Sequence, residues 1–320
     1  MMKRRTLLVS TAAGIAAPAI VRAQPFPASQ IRIMHGYDAG SNPDTIARLL
    51  SQPLAELLNT QVVVEPKPGA AERVAATQIA RMKGDGNVLY MMTGGQAVVS
   101  ATDRTLSYDL LRDFEFISIV TRFPFCFAVA PDSRFKTLEQ YLDEARQEPG
   151  KLNYGSSGIG STLHMAMELL LQKTGLKITH VPYKGGQQPF NDLLGGRLDM
   201  HVATFSNVQP FMKAGRMRVL AVTSKARHPG FPDVPSVAER VLPDYDVVSW
   251  LGFASPAGLP PVVRDRLHEA IKQAMARPEV KGKLEELGND TRVTTPAEFR
   301  ARVESDLARW RPLAHVVNQS

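Results

Sequence analysis

Short runs of β-branched and large apolar residues alternate along this chain with stretches of helical periodicity, and that alternation restricts the fold more than any other feature. Ile31-Arg32-Ile33-Met34 precedes an amphipathic stretch from Asp44 to Leu58, and Val62-Val63-Val64 precedes one from Ala70 to Met82. Val88 to Met92 and Phe116 to Val120 follow as two further strands. This βαβα order predicts a parallel sheet covered by helices. A second set of strands is predicted at Phe127 to Val129, Leu152 to Tyr154, Ile178 to Val181, Leu198 to Ala203 and Val219 to Val222. Helical patterns separate them at Leu138 to Arg146, Thr162 to Lys173, Pro189 to Leu194 and Val208 to Ala214. An apolar strand at Val247 to Phe253 and helices at 261–276, 279–287 and 296–317 complete the chain. A length of 320 residues exceeds what one hydrophobic core usually serves, so two α/β domains are predicted. Asp44 is placed to cap the first helix, and Pro53 is expected to kink or divide it.

Residues 1–23 read as an export leader instead of fold. Lys3, Arg4 and Arg5 precede an apolar, uncharged stretch from Thr6 to Val21, and Val21-Arg22-Ala23 is a small-residue cleavage site. Arg4-Arg5 leaves both the twin-arginine and the general secretory route open. The apolar stretch is too short to span a bilayer, so no membrane insertion of the mature chain is predicted. The leader's four basic residues take the formal charge from +7 to +3 when removed. No dense basic stripe remains, which argues against nucleic acid as a partner. Cys126 is the only cysteine and lies in the apolar run Phe125 to Val129, where a buried thiol is expected.

Two loops have the chemistry to hold an anion. Gly36-Tyr37-Asp38-Ala39-Gly40-Ser41-Asn42-Pro43-Asp44 joins the first strand to the first helix. Gly155-Ser156-Ser157-Gly158-Ile159-Gly160-Ser161-Thr162 does the same after Tyr154. Glycines let backbone N–H groups approach a ligand, and a helix N-terminus favours negative charge. Gly155 and Gly160 have the spacing of a phosphate-binding loop, but Ser161 stands where that loop has lysine. A carboxylate needs only two or three such donors. Catalytic constellations are missing: the run around Ser157 has Ile159 where a nucleophile elbow has glycine, and the seven histidines show no metal-ligand spacing. No cofactor, metal or catalytic residue is therefore predicted. His164 either lines the second loop or is structural, and His201 reads as structural.

From about Phe26 to the C-terminus the sequence resembles the Bug/TctC-type periplasmic receptors of tripartite tricarboxylate transporters. The most specific stretches are Lys151 to His164 around G-S-S-G-I-G-S-T, His180-Val181-Pro182-Tyr183-Lys184-Gly185-Gly186, Asp192 to Gly196, Leu220 to Ser224, Phe231 to Glu239 and Pro256-Ala257-Gly258. The resemblance implies a two-lobed periplasmic-binding-protein fold of type II, with the ligand in the cleft between lobes. Lobe 1 would comprise 24–125 and 250–320, and lobe 2 would comprise 126–249. It implies a periplasmic, monomeric solute receptor, not an enzyme, whose partners are a small organic carboxylate and the membrane subunits of such a transporter. A binding protein serving a signalling partner and an exported α/β hydrolase are the alternatives. Carried over, the ligand-binding positions are Gly40, Ser41, Asn42 and Asp44 in the first loop, with Tyr37 as the aromatic roof. In the second loop they are Ser156, Gly160, Ser161 and His164.

The chain departs from the family pattern in three places. Pro43 removes a backbone donor and Asp38 adds a negative charge to the first loop. After the third strand, Thr93-Gly94-Gly95-Gln96-Ala97-Val98-Val99-Ser100 has Ala97 for a family histidine and Ser100 for an asparagine, leaving Gln96 as the site candidate. Ala203 stands where amino-acid-binding members carry an aspartate, so a ligand without an ammonium group is predicted. Phe205 and Trp250 either make the distal pocket aromatic or belong to the core.

Overall fold

The computed structural model describes residues 26–27, 30–183 and 187–318. The expected leader and the Lys184-Gly185-Gly186 end of one family stretch lie outside them. The chain opens with β1 (Gln30–His35), α1 (Asn42–Leu58), β2 (Gln61–Pro66), α2 (Arg73–Ile79), β3 (Val88–Thr93) and α3 (Gly95–Thr102). A long strand, β4 (Phe114–Val129), leads into α4 (Leu138–Gln147), β5 (Asn153–Ser156), α5 (Thr162–Thr174), β6 (Thr179–Pro182) and α6 (Gln188–Leu194). Then come β7 (Met200–Thr204), α7 (Phe205–Lys213), β8 (Arg218–Val222), α8 (Val237–Arg240) and β9 (Val248–Pro256). The chain closes with α9 (Pro261–Met275), α10 (Pro278–Glu286), β10 (Asp290–Thr291), α11 (Pro296–Trp310) and α12 (Ala314–Asn318).

The strands run in the order β2-β1-β3-β9-β4-β7-β5-β6, with β8 and β10 also paired to β4. Along one edge of β4, Phe114 to Pro124 pair with β9, and Cys126 to Val129 pair with β8. Along the other edge, β10 covers Thr121 and Arg122, and β7 starts at Phe125. Two strands were expected here, at 116–120 and 127–129; the structure has one. Proline interrupts a strand because it lacks a ladder donor. The amide of Phe125 faces the β8 edge, donating to Thr223 Oγ1 at 2.8 Å, so position 124 faces the opposite edge, in the interval between β10 and β7 where no strand pairs.

Local sequence explains most helix boundaries, and packing explains the exceptions. Ser41 caps α1, accepting from the Asp44 amide, where Asp44 itself was expected to be the cap. Pro53 neither divides nor ends α1. Interior proline costs ~3 kcal/mol; burial of Ile46, Leu50, Leu54 and Leu58 along the same face offsets it. The helix expected from Ala70 begins only at Arg73, because Ala70, Ala71 and Glu72 all have left-handed backbone. α3 is not among the predicted helices: most of it is buried, so it has little amphipathic period to detect. The last predicted helix breaks into α11, a 3-10 turn and α12 at Pro312.

Trp250 and Phe299 join the buried cluster that packs α2, α3 and α11 onto one face of the first sheet. Gly252 on β9 makes that approach feasible, since a Cβ there would lie 2.6 Å from the Phe299 ring. Gly252→Ala is expected to cost about 1–3 kcal/mol through overpacking, read as a lower urea midpoint. An unchanged midpoint would show that α11 can move away without loss.

Candidate functional site

Strand direction sets the site. β3 is antiparallel to β9 and β9 to β4, so β3 and its parallel neighbour β1 point the way β4 runs. β7 is antiparallel to β4, and β5 runs parallel to β7, so these two point back. The carboxyl ends of β1 and β3 therefore point towards those of β5 and β7. Through its pairings, Thr93 at the end of β3 is level with Thr121 of β4, while Thr204 at the end of β7 is level with Phe125. Four residues of strand correspond to about 13 Å, room for a small molecule. Each of the four strands leads directly into a helix start: α1 after Ser41, α3 after Gly94, α5 after Ser161 and α7 after Thr204. Helix N-termini carry partial positive charge and attract anions.

Contacts join these four starts into a ring. The Tyr37 hydroxyl lies 3.3 Å from Thr93 Oγ1, tying the first loop to β3. The amides of Asn42 and Asn289 exchange hydrogen bonds at 3.4 and 3.3 Å. Gly288, beside Asn289, packs on Phe205 at the start of α7 and accepts from His228 Nε2 at 3.2 Å. His201 Nδ1 donates to the Gly155 carbonyl at 3.1 Å, tying β7 to the second loop. α3 touches α5, which closes the circle.

Within the ring, the expected residues divide by what their polar groups do. Tyr37 and Ser41 are half-buried, and Gly40 is exposed with φ +81°. Asp44 is buried; its carboxylate accepts from the Gly40 amide at 2.9 Å, Arg48 Nε at 2.9 Å and His35 Nε2 at 3.1 Å. Burial works to raise its pKa, and these donors, Arg48 foremost, outweigh that and lower it. Gln96 is buried with Oε1 accepting from the Tyr108 hydroxyl at 2.7 Å and Nε2 without a partner. Ser156 is buried, its hydroxyl 2.7 Å from His180 Nε2. Ser161 caps α5 by accepting from the His164 amide at 3.2 Å. The Gly160 amide, at φ +74°, donates to His164 Nδ1 at 3.2 Å. Asp44, Ser156 and His164 thus turn inward and shape the loops that carry them. Ala203 is buried opposite Cys126 on β4, Phe205 stacks on His228 and meets Phe231 at a tilt, and Trp250 is core, its indole N–H on Asp306 at 2.7 Å. Cys126 is buried as expected, and burial pushes its thiol pKa well up.

Three participants escaped the sequence reading. His180 stacks on His164 with ring centroids 4.0 Å apart. Asn289 lies 247 residues from its partner Asn42, beyond any local pattern. Glu72 is fully buried directly behind the first loop, where its carboxyl accepts from Tyr90 at 2.8 Å and from Thr93 Oγ1. Burial raises its pKa to about 7 against the pull of the Thr93, Tyr90 and Tyr37 hydroxyls. Its only sequence signal was a charge in a segment read as helix.

The histidines beneath the second loop are held neutral. Burial lowers His164 to about 4; burial and then the neighbouring His164 lower His180 to about 3. A proton on His164 Nδ1 would meet the Gly160 N–H head-on. Depressed pKa values contribute stability that is complete above the ordinary histidine value of 6.5 and lost as pH falls through the folded-state values. The double variant His164→Gln/His180→Gln is expected to melt lower at neutral pH but to lose less on acidification from pH 6.5 to 4. An equal loss would assign the acid sensitivity elsewhere.

Two α/β units joined through a shared long strand, with facing helix starts between them, define a periplasmic-binding-protein fold. The TctC model, described as the tripartite tricarboxylate transporter family receptor, matches residues 46–318. A UPF0065 protein of the gbd 5' region of Cupriavidus necator is 34% identical over 283 residues, 88% of this chain and 86% of that one. A Rhodopseudomonas palustris protein solved with adipate superposes with TM-score 0.84 at 29% identity, covering 92% of this chain and 99% of the other. MatC from the same organism, with bound malate, gives 0.83 at 25% identity over 90% and 100%. The chain belongs to the TctC family of tripartite tricarboxylate transporter receptors.

Proposed function

We propose that this receptor captures a small organic carboxylate in the interval between the β1/β3 and β5/β7 ends and passes it to the membrane subunits of a tripartite tricarboxylate-type transporter. The observation that carries the reading is the facing pairs of helix N-termini, α1 and α3 against α5 and α7. Their partial positive charges flank the interval from both sides and would hold a carboxylate through backbone donors and hydroxyls. The adipate and malate bound by the two R. palustris relatives are dicarboxylates, which supports an acid group at each side. The half-buried Tyr37, Ser41, Ser157, Thr162 and Thr204 are positioned to reach it. Gly40 and Gly160 allow the backbone to turn there.

The lobes in this reading are 24–125 with 250–320, and 126–249, closing about β4 and the segment entering β9. Residues 1–23 direct export to the periplasm. Among the described residues no helix is long and apolar enough to cross a membrane. The receptor acts by binding alone and as a monomer. Burial of Cys126 and of Ser156, whose hydroxyl is engaged by His180, supports that reading. The apolar surroundings of Ala203 offer an ammonium no counter-charge from β7.

In a thermal-shift and calorimetric screen, adipate or malate is expected to stabilise the mature protein in proportion to concentration over affinity, with aspartate and glutamate at least tenfold weaker. A tighter aspartate or glutamate complex would overturn the assignment at Ala203. Ser161→Gly removes the hydroxyl while glycine still serves as a cap, so stability is expected to change by only a few tenths of a kcal/mol. Affinity is expected to fall about tenfold, the worth of one charge-assisted hydrogen bond. Unchanged affinity would remove Ser161 from the site.

A further inference from the structure

Glu72 occupies a conformation that its residue type disfavours. Ala70, Ala71 and Glu72 have φ of +47°, +51° and +71°, three consecutive non-glycine residues in the left-handed region. Such strain persists only where the surroundings hold it. Here the surroundings are the candidate site. A Cβ on Gly36 would lie 2.6 Å from Glu72 Cα, so the first loop rests directly on this residue. The groups that face the Glu72 carboxyl are the hydroxyls of Tyr37 from the first loop and of Tyr90 and Thr93 from β3, together with the Thr93 backbone N–H, with Tyr108 nearby from the segment after α3. Its neighbour Arg73 pairs with Asp103 at 3.1 Å. A buried carboxylate without a cation is expensive.

The hydroxyls link Glu72 to the first loop: Glu72 to Thr93 Oγ1, Thr93 Oγ1 to Tyr37 at 3.3 Å, and Tyr37 also directly to the Glu72 carboxyl. Thr93 has one proton to donate and two lone pairs, one of which accepts from the Gly95 amide at 3.0 Å. Its remaining lone pair and its proton must therefore point in opposite directions along the chain. When Glu72 is ionised, Thr93 donates to Glu72 and Tyr37 spends its one proton on Thr93 or on Glu72 itself, so Tyr37 presents only lone pairs to the cleft. When Glu72 is protonated, it donates to Thr93, Thr93 donates to Tyr37, and Tyr37 donates outward.

We propose that Glu72 sets the polarity of the first-loop half of the site through Thr93 and Tyr37, so that a ligand carboxylate and one proton from solvent are taken up together. The proton bonds to the Glu72 carboxylate, the chain reverses, and the Tyr37 hydroxyl becomes a donor to the incoming anion. Neutral Glu72 also leaves the field of the α1 and α3 N-termini uncancelled. This rests on the carboxylate reading of the site. The resting pKa of about 7 places the change within the working range of a periplasmic protein.

Calorimetry of the full mature chain with malate and adipate, in buffers of different ionisation enthalpy, tests the coupling. Roughly one proton is expected to be taken up per ligand at pH 8, with little at pH 5.5, and affinity is expected to fall about tenfold from pH 6 to pH 8. In Glu72→Gln, whose amide donates to Thr93 at every pH, the uptake is expected to vanish and affinity to vary less than twofold. Tyr37→Phe, which cuts the chain at its outer end and leaves Glu72 buried, is expected to lose the uptake too. Binding without proton exchange, release of a proton, or equal uptake in Glu72→Gln overturns the proposal and leaves the carboxylate reading standing. Failure of wild type and variants alike to bind either acid overturns that reading, and this inference with it. A ligand-free measurement checks the group itself. A raised pKa contributes stability present below the ordinary glutamate value of 4.5 and lost as pH rises through about 7. The melting temperature of Glu72→Gln minus that of wild type is expected to rise across that range, and a flat difference overturns the proposal.

Discussion

The 16 residues of β4 pair on both edges and with different partners at their two ends, and the rest of the molecule is arranged around that pairing. The first part gathers β9 and β10, and through β9 the parallel strands β3, β1 and β2. The last five residues gather β7 and β8, and through β7 the strands β5 and β6. Because β3 is antiparallel to β9 whereas β5 is parallel to β7, and β9 and β7 both run against β4, the outer strands of the two units point towards each other. A helix follows each of the strands β1, β3, β5 and β7, so the facing helix starts are a consequence of strand direction alone. Pro124 falls in the interval where one edge of β4 has no neighbour, and the strand runs through it without losing a ladder bond.

The loops at the ring are stiffened from inside. Asp44 gathers Gly40, Arg48 and His35; His164 holds Gly160; His180 holds Ser156. Asp44 and His164 are buried and His180 half-buried, and desolvation of each is offset by its partner. Loops built in this way leave little conformational entropy to be lost when a ligand arrives. The same logic makes Glu72 exceptional, since its side-chain partners are neutral hydroxyls that can donate or accept. A carboxyl so placed answers to the protonation state and not to a fixed counter-charge.

Much of this was legible in the chain. Alternation located nearly every strand, and glycine-serine chemistry at Gly36 to Asp44 and Gly155 to Thr162 identified two of the four helix starts that meet at the ring. What failed did so for physical reasons. α3 is buried over most of its length and carries no amphipathic signal. At Asp44, His164 and Ser156 the sequence shows the residue types of ligand contacts, and the structure adds the partners within their own loops and the neighbouring strand that hold their side chains. Phe205 and Trp250 were open between pocket and core; Trp250 lies in the core, and Phe205 packs against Gly288 where the two units meet.

By itself the sequence determined the class of fold, the buried thiol and the two Gly-Ser loops, because hydrophobic period, helix capping and backbone freedom act over a few neighbouring residues. Only the tertiary structure decided that β4 is continuous, that Asn42 meets Asn289, and that Glu72 lies behind Tyr37 and Thr93. Those outcomes depend on which distant groups share a low-dielectric interior, and no local pattern of residues encodes that.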